Sequence, residues 1–282
     1  MKSGDSHDNV SVMALFISDI DGTLLNPERT ISPGTDLAIR RVIEAGHHFV
    51  LASSRPPRSM RILEAIYGGT GVPLAAYNGG LVLNSDGDAV LDVPVDAASA
   101  VLIYEKCREL NLHCSFYSGD DWYAWADDHW SQRETNNTAI SPNPEPASHY
   151  AETDLITEAP PHKIMCMGEP HLIDQIESLL ESRKAVVTYR AKDTYLEIAN
   201  SAVSKGDGAE MAANELGVDL GDVHFFGDNF NDLPAFAVAG TAIAVANARA
   251  EVLAAADITT ASNHDDGVAE YLNHWMNENP RP

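Results

Sequence analysis

Cysteine is scarce in this sequence, which has only Cys107, Cys114 and Cys166 among 282 residues. These are too few for a disulfide scaffold, and they lack the C-x-x-C spacing of redox and zinc motifs. Long apolar runs are missing too: none reaches about 18 residues, so the sequence predicts no membrane span. The first residues, MKSGDSHDNVSVM, lack the apolar centre of a signal peptide. With 44% hydrophobic and 21% charged residues, we expect a folded, cytoplasmic protein.

Positive charge is also in short supply. The chain has 18 lysine and arginine residues against 42 aspartate and glutamate residues, a formal net charge of -24. This balance argues against nucleic acid or an anionic membrane as a partner held by a general basic surface. If the substrate is an anion, the overall field of the protein opposes it, so the site must supply its own local positive charge.

Strands and helices alternate in the first third of the chain and again after Lys205. Unbroken apolar runs predict strands buried on both faces, and capping residues such as Ser32 and Pro33 mark the helices between them. The predicted strands are 12–18, 49–53, 74–77, 81–83, 223–226 and 242–245, and the predicted helices are 33–45, 58–66, 205–216, 249–255 and 268–276. This alternation predicts an α/β fold with a Rossmann-like parallel sheet covered by helices on both faces.

The pattern changes between residues 96 and 196. Strands cluster there (113–117, 122–126, 163–167, 186–190 and 195–199) with two helices (97–110 and 170–182), which predicts an inserted α+β domain. We therefore expect one α/β core made of residues 1–95 and 197–282, interrupted by the insertion at 96–196. Four aromatic residues of the insertion either fill its core or stack on a substrate ring: Trp122, Tyr123, Trp125 and Trp130.

The strongest chemical signal is the segment Asp19-Ile20-Asp21-Gly22-Thr23-Leu24, directly after the first buried strand. Residues two apart in an extended chain point to the same side, so Asp19 and Asp21 converge at the carboxyl end of the strand, where open α/β sheets bind ligands. Paired carboxylates suit a hard cation such as Mg²⁺, or a nucleophile with a general acid. A solvated turn is the plain alternative.

A second acidic segment, Gly227-Asp228-Asn229-Phe230-Asn231-Asp232, follows the strand predicted at 223–226. It lacks the glutamate that completes an EF-hand loop, so a shared cation site with the first acidic segment is the better interpretation. Two weaker signals are Ser53-Ser54-Arg55, which offers a hydroxyl and backbone N–H groups to an anion, and Lys205, which offers a point charge.

Together and in this order, these motifs resemble the haloacid dehalogenase-like superfamily of phosphohydrolases. The resemblance runs from about Val12 to the end of the chain. Asn78-Gly79, the segment Tyr195-Leu196-Glu197-Ile198 and the inserted α/β cap resemble the Cof-type phosphatase branch. Where that branch usually reads Thr-Gly-Arg, this chain has Ser53-Ser54-Arg55, which keeps the hydroxyl.

The resemblance implies a role for each matching residue. Asp19 attacks phosphorus and forms an aspartyl-phosphate, while Asp21 protonates the leaving oxygen and then activates water. Mg²⁺ is held by the Asp19 side chain, the Asp21 backbone carbonyl and Asp228. Asp232 orients Lys205 or a metal-bound water. The phosphoryl oxygens are held by the backbone at Ile20 and by Ser53, Ser54, Lys205 and Asn231, with Asn78 and Arg55 in support.

We therefore expect a Mg²⁺-dependent phosphatase that acts on a small phosphorylated metabolite, such as a sugar phosphate. Asp21 favours phosphoryl transfer with proton transfer, because similar ion pumps carry lysine there and dehalogenases lack the acid. Two alternatives stay open: a phosphomutase with the same two aspartates, and a phosphometabolite-binding protein without turnover. The sequence indicates neither the substrate nor the oligomeric state.

Overall fold

The structure, a computed structural model, describes residues 13–280. Its strands in the first half are β1 (Leu15–Ser18), β2 (His48–Leu51), β3 (Leu74–Ala76), β4 (Leu81–Leu83), β5 (Ala89–Asp92), β6 (His113–Ser118) and β7 (Asp121–Tyr123). The later strands are β8 (Lys163–Met167), β9 (Val186–Lys192), β10 (Tyr195–Asn200), β11 (Val223–Gly227), β12 (Thr241–Val245) and β13 (Ile258–Thr260). Val12, the first residue of the first predicted strand, lies outside the described residues.

The helices begin with α1 (Pro33–Glu44), α2 (Pro57–Tyr67), α3 (Ala97–Leu110), α4 (His129–Thr138), α5 (Ala147–Glu152) and α6 (Leu155–Glu158). They continue with α7 (Pro170–Leu180), α8 (Lys205–Leu216), α9 (Leu233–Val238), α10 (Ala250–Ala255) and α11 (Gly267–Glu278). As predicted, the Ser32 side chain caps α1 by accepting from the Thr35 N–H, and Pro33 begins the helix. Among the described residues, no helix combines the length and the apolar character needed to cross a membrane.

The first sheet is parallel throughout, with the strand order β13-β12-β11-β1-β2. Successive side chains of β1 point to opposite faces, and both faces are covered. Phe16 packs in the cluster that includes α1, α2 and α11, whereas Leu15 and Ile17 pack in the cluster that includes α8 and α9. The predicted α/β class, with a Rossmann-like parallel sheet, is confirmed.

The second sheet is antiparallel, with the order β7-β6-β8-β10-β9, and all of its strands come from residues 113–200. A third sheet, β3-β4-β5, joins the edge of the first through a parallel bridge between Ala52 and Ala75. The predicted boundaries of the cap at residues 96 and 196 stay a prediction. Strand β10 runs four residues past the second boundary, to Asn200.

The second sheet has its own apolar core, formed with α3 and α7. The three cysteines meet there as free, buried thiols whose sulfur atoms lie within 4.8 Å of one another. Two of them, Cys114 and Cys166, lie opposite each other in the register of the neighbouring strands β6 and β8. Helix α4 was not predicted, because its sequence HWSQRETNNT carries little apolar character.

One buried acid in α2 gives a testable pH effect on stability. Glu64 is 2% exposed, and its Oε1 atom has no hydrogen-bond partner among the described residues. Burial raises the pKa of Glu64 from 4.5 to about 8, although Arg61 opposes the rise. The folded state therefore binds a proton that the unfolded state releases, so this acid destabilises the fold progressively as pH rises from 4.5 to 8.

We expect Glu64→Gln to remove this pH dependence. Relative to the wild type, the free energy of unfolding of the variant should rise between pH 4.5 and 8, by on the order of 3 to 5 kcal/mol in total. Urea unfolding at a series of pH values measures this difference. The unpaired amide of glutamine adds a cost that does not vary with pH, so only the slope is diagnostic. A flat difference would contradict the assignment.

Candidate active site

The two acidic segments meet at the carboxyl edge of the first sheet. Strands β1 and β11 are parallel neighbours, with Ser18 opposite Phe226, and the Asp19 N–H donates to the Phe226 carbonyl at 3.0 Å. Both segments leave their strands at the same point, as expected for parallel strands that end together.

Three carboxylates share this edge with one ammonium group. Oxygens of Asp19, Asp228 and Asp232 lie within 4.8 Å of one another. The Nζ atom of Lys205 donates to Asp19 Oδ1 at 2.5 Å and to Asp232 Oδ1 at 2.6 Å. When all four groups are ionised, the cluster carries two negative charges in excess.

The excess negative charge acts on the pKa values of the cluster. Burial raises the pKa of Asp19, Lys205 opposes that rise, and the charges of Asp232 and Asp228 add to it. Burial and Asp232 raise the pKa of Asp228 to about 6. Burial opposes the charged form of Lys205, but Asp19 and Asp232 more than compensate and raise its pKa above the ordinary range. The three acids therefore need further positive charge to ionise together.

Close packing around Asp228 explains why a glycine follows Asp21. Gly22 has φ 95°, and a Cβ atom there would lie 2.4 Å from Asp228 Oδ2. The neighbouring Thr23 hydroxyl donates to Asp228 Oδ1 at 3.2 Å. Because only glycine tolerates this φ and this approach, the first acidic segment can turn tightly against the second.

Lys205 is held as the first residue of α8. The Ser204 side chain caps the helix, and Lys205 itself is only 1% exposed. The turn containing Gly79 packs directly on this helix start, since a Cβ atom at Gly79 would lie 2.1 Å from the Ser204 carbonyl oxygen. Asp232 uses one oxygen for Lys205 and the other to accept from the N–H groups of Asp228 and Asn229, both at 2.9 Å.

Asp21 points to a different set of partners. Its carboxylate accepts from Arg55 Nε at 2.7 Å and Nη2 at 2.8 Å, and from Arg29 Nη2 at 2.6 Å. Burial raises its pKa, but the hydrogen bonds and charge of Arg55, with the charge of Arg29, outweigh burial and lower the pKa of Asp21 below its ordinary value. Arg29 also donates to the Asn137 carbonyl of α4 at 3.1 Å, so the ion pair reaches the predicted cap.

A cavity of about 480 Å³ opens in front of these groups, between the first and second sheets. Six of the predicted site residues line it: Asp19, Asp21, Ser53, Ser54, Asp228 and Asn231. The lining also includes six residues to which no role was assigned from the sequence: Thr188, Tyr189, Arg190, Glu197, Asn229 and Phe230. Both sheets therefore contribute walls to one cavity.

Four further predicted residues lie one hydrogen bond behind the lining. Lys205 contacts Asp19, Asp232 accepts from the Asp228 N–H, Arg55 contacts Asp21, and Asn78 Oδ1 accepts from Asn231 Nδ2 at 3.0 Å. The Ile20 side chain is buried in the core, and its carbonyl accepts from the N–H groups of Leu24 and Leu25. The phosphate-binding role of the Ile20 N–H stays a prediction.

The clustered tryptophans do not line this cavity. Trp122 is fully buried and stacks on Tyr117, with ring centroids 5.5 Å apart, and Trp130 meets Tyr195 edge to face. Of the two interpretations offered by the sequence, the filled core fits these positions. The aromatic residues of the cavity are instead Tyr189 of β9 and Phe230 of the second acidic segment.

The donor set at the acidic edge fits a hard divalent cation. All of the clustered ligand atoms are carboxylate oxygens, which Mg²⁺ prefers, and no histidine or cysteine joins the cluster among the described residues. Asp232 is already engaged with Lys205 and two N–H groups, whereas Asp19 and Asp228 face the cavity. Those two carboxylates are the ones that the sequence predicts as metal ligands.

The fold and this site define an α/β protein with a cavity and an acidic, cation-suited edge on a parallel sheet. Residues 16–272 match the family described as haloacid dehalogenase-like hydrolase, and the chain belongs to that family. The predicted resemblance is therefore confirmed.

Individual relatives agree with this. A Haemophilus influenzae protein named as a phosphatase is 31% identical over 262 residues, which cover 90% of this chain and 95% of that protein. The pyridoxal phosphate phosphatase YbhA of Escherichia coli is 26% identical over 262 residues, with the same two coverages. A crystal structure of a haloacid dehalogenase-like hydrolase from Bacteroides thetaiotaomicron has a TM-score of 0.84 at 26% identity, covering 93% of this chain and 99% of that one. The chain is a phosphatase.

Proposed function

We propose that this phosphatase hydrolyses small phosphorylated metabolites, sugar phosphates among them, with Mg²⁺ and through an aspartyl-phosphate on Asp19. The position of Asp19 carries the proposal: its carboxylate lines the cavity while Lys205 binds its Oδ1 atom. Oδ2 is then the atom that attacks phosphorus, and the bond from phosphorus to the leaving oxygen breaks as the new bond forms.

Charge repulsion is the main obstacle to that attack. A carboxylate and one phosphate charge 4 Å apart repel by about 4 kcal/mol at an effective dielectric near 20. Lys205 offsets part of this repulsion, and the Ser53 hydroxyl and the Asn231 amide hold phosphoryl oxygens. Asp21 gives a proton to the leaving oxygen and later takes one from the attacking water.

Asp19, Asp228 and the Asp21 backbone carbonyl would hold the Mg²⁺ ion. When bound, the ion supplies positive charge that neutralises the phosphoryl oxygens and allows the acidic cluster to stay ionised. The excess of two negative charges around Lys205, together with the raised pKa of Asp228, supports this assignment.

The size and lining of the cavity support a small leaving group. A volume of about 480 Å³ admits a phosphorylated metabolite rather than a folded phosphoprotein. Tyr189 and Phe230 offer aromatic surface, and Arg190 also lines the cavity. Salt bridges to Asp174 and Glu177, both at 2.7 Å, hold the Arg190 guanidinium in place. These groups suit an alcohol that carries hydroxyls or a ring.

We expect hydrolysis of p-nitrophenyl phosphate and of some members of a phosphometabolite panel, in each case dependent on Mg²⁺. A chelator should abolish the activity and added Mg²⁺ should restore it, because the carboxylate cluster otherwise repels the phosphate. Release of free phosphate is the readout. Undiminished activity in chelator would contradict the metal assignment. An isomeric monophosphate formed with little free phosphate would favour a phosphomutase, and binding without turnover would favour a non-catalytic role.

A further inference from the structure

We propose that Glu197, a buried carboxylate of the second sheet, is a positioning residue that fixes the Asn231 amide of the phosphate site through Asn78. The inference rests on the proposed function, since it gives Glu197 a part in the same site. Glu197 lies on β10, whereas Asn78 follows β3 and Asn231 follows β11, so one hydrogen-bonded chain joins three separate parts of the fold.

The contacts run in sequence from the second sheet to the cavity. Asn78 Nδ2 donates to Glu197 Oε1 at 2.8 Å, and Asn231 Nδ2 donates to Asn78 Oδ1 at 3.0 Å. Asn78 itself is fixed at φ 56°, and its N–H donates to the Ser53 carbonyl at 2.9 Å. Asn78 is therefore anchored to the strand end that carries Ser53 while its two amide atoms face opposite partners.

The direction of this chain follows from what each group can donate. An ionised carboxylate only accepts hydrogen bonds, so Glu197 selects the NH₂ group of Asn78. The oxygen of Asn78 must then face Asn231, and it selects the NH₂ group of Asn231 in turn. A reversed Asn231 would set two amide oxygens against each other. The second N–H of Asn231 remains available in the cavity as a donor to a phosphoryl oxygen.

Burial makes a purely structural role a poor explanation for this carboxylate. Glu197 is 8% exposed, and burial raises its pKa, with Lys163 opposing the rise. Among the described residues it forms no salt bridge within 4.0 Å, so Lys163 and Lys205 offset its desolvation only at longer range. Its carboxylate accepts hydrogen bonds from the side chains of Asn78 and Ser54. A charge kept at such a cost is more useful for orienting an amide than for stability.

Lys163 supports the same arrangement from the neighbouring strand. This buried lysine of β8 donates to the Ser54 carbonyl at 2.9 Å and lies 4.4 Å from the centre of the Tyr117 ring. Ser54 lines the cavity next to Ser53. Lys163 and Glu197 both belong to the second sheet. The packing of that sheet on the first therefore determines the positions of the loops that carry Ser54 and Asn78.

A double-mutant cycle tests the inference. Glu197→Ala should lower kcat/KM for p-nitrophenyl phosphate by about 10- to 100-fold, the usual effect of losing a hydrogen bond to a charged group. In an Asn231→Ala background the same change should cost about threefold or less, because the amide that Glu197 positions is already gone. Glu197→Gln keeps the volume and an accepting oxygen, so it should recover most of the loss.

The dissociation constant of inorganic phosphate in the presence of Mg²⁺ provides a second readout. It is measured by calorimetry for the wild type, Glu197→Ala, Asn231→Ala and the double variant. Glu64→Ala is the matched control, since it truncates another buried glutamate; it should lower the melting temperature and leave kcat/KM unchanged. If Glu197→Ala does not fold, Asn78→Ala replaces it in the cycle.

Equal losses from Glu197→Ala in both backgrounds, for hydrolysis and for phosphate binding, would overturn the inference. The proposed function fails in a different way: the wild type would bind phosphate and hydrolyse nothing in the panel. In that case the phosphate-binding cycle alone decides whether Glu197 positions Asn231. If the wild type hydrolyses phosphate esters and Glu197→Ala has the same kcat/KM and the same affinity for phosphate, the proposed function stands and the positioning role is refuted.

Discussion

Replacing Asp19 with alanine should reduce hydrolysis to the background rate, a loss on the order of 10⁴-fold or more. The loss should be the same for every substrate, because the variant has no atom to attack phosphorus. Acid quenching with labelled substrate should trap a phosphoenzyme in the wild type and none in the variant. Asp19→Asn should behave alike, since an amide keeps the volume of the carboxylate without its nucleophilic charge.

Asp86→Ala is a suitable control for this experiment. Asp86 lies exposed in the turn between β4 and β5, far along the chain from the acidic edge, and should leave both activity and labelling intact. Phosphoenzyme that persists in Asp19→Ala would assign the nucleophile to another residue.

Positive charge is present around the cavity, where the sequence predicts that an anionic substrate needs it. Of 18 basic residues, several surround or back the cavity: Lys205, Arg55, Arg29, Lys163 and Arg190. Most of them face carboxylates, so their charge is partly neutralised before substrate arrives. This local balance is the physical reason to expect a dependence on a divalent cation.

Local signals in the sequence determined which elements could be predicted. Helices α3 and α8 were predicted with their observed limits, because Asp96 and Ser204 cap their starts and Asn111 and Gly217 adopt the left-handed conformation at their ends. Strand β13 was missed: it is a three-residue edge strand and largely exposed, so it lacks the apolar run that marks a buried strand.

The same distinction applies to the candidate site. Asp19 and Asp228 could be predicted because each sits in a contiguous motif directly after a buried strand. Arg29, Lys163 and Glu197 could not, since their partners lie on segments that meet them only in the folded chain. The available signal was a charge within an apolar strand: Lys163 begins IMCM, and Glu197 interrupts YLIA. Such a charge predicts an inward polar partner without identifying it.

Asp21→Asn should separate the two proton transfers assigned to Asp21. The variant keeps the backbone carbonyl proposed for Mg²⁺ but loses the proton donor and base, whose contribution is typically about 10²–10⁴-fold. It also removes the ion pairs with Arg55 and Arg29. In the wild type, these ion pairs lower the pKa of Asp21 and keep its carboxylate ionised. To act as an acid, the wild-type carboxylate must leave Arg55 and take up a proton, whereas its role as a base needs no such change.

Substrates with different leaving groups expose this difference. An alkyl phosphate needs a proton on its leaving oxygen, so Asp21→Asn should slow the first step and accumulate no phosphoenzyme. An activated aryl phosphate leaves without that proton, so its first step should be spared while hydrolysis of the aspartyl-phosphate remains slow. Rapid-quench measurements should then detect a burst of aryl alcohol, of about one equivalent per site, followed by slow turnover. If Asp21→Asn matches Asp19→Ala with both substrates and produces no burst, Asp21 has neither role, and its ion pair with Arg55 must explain its place in the site.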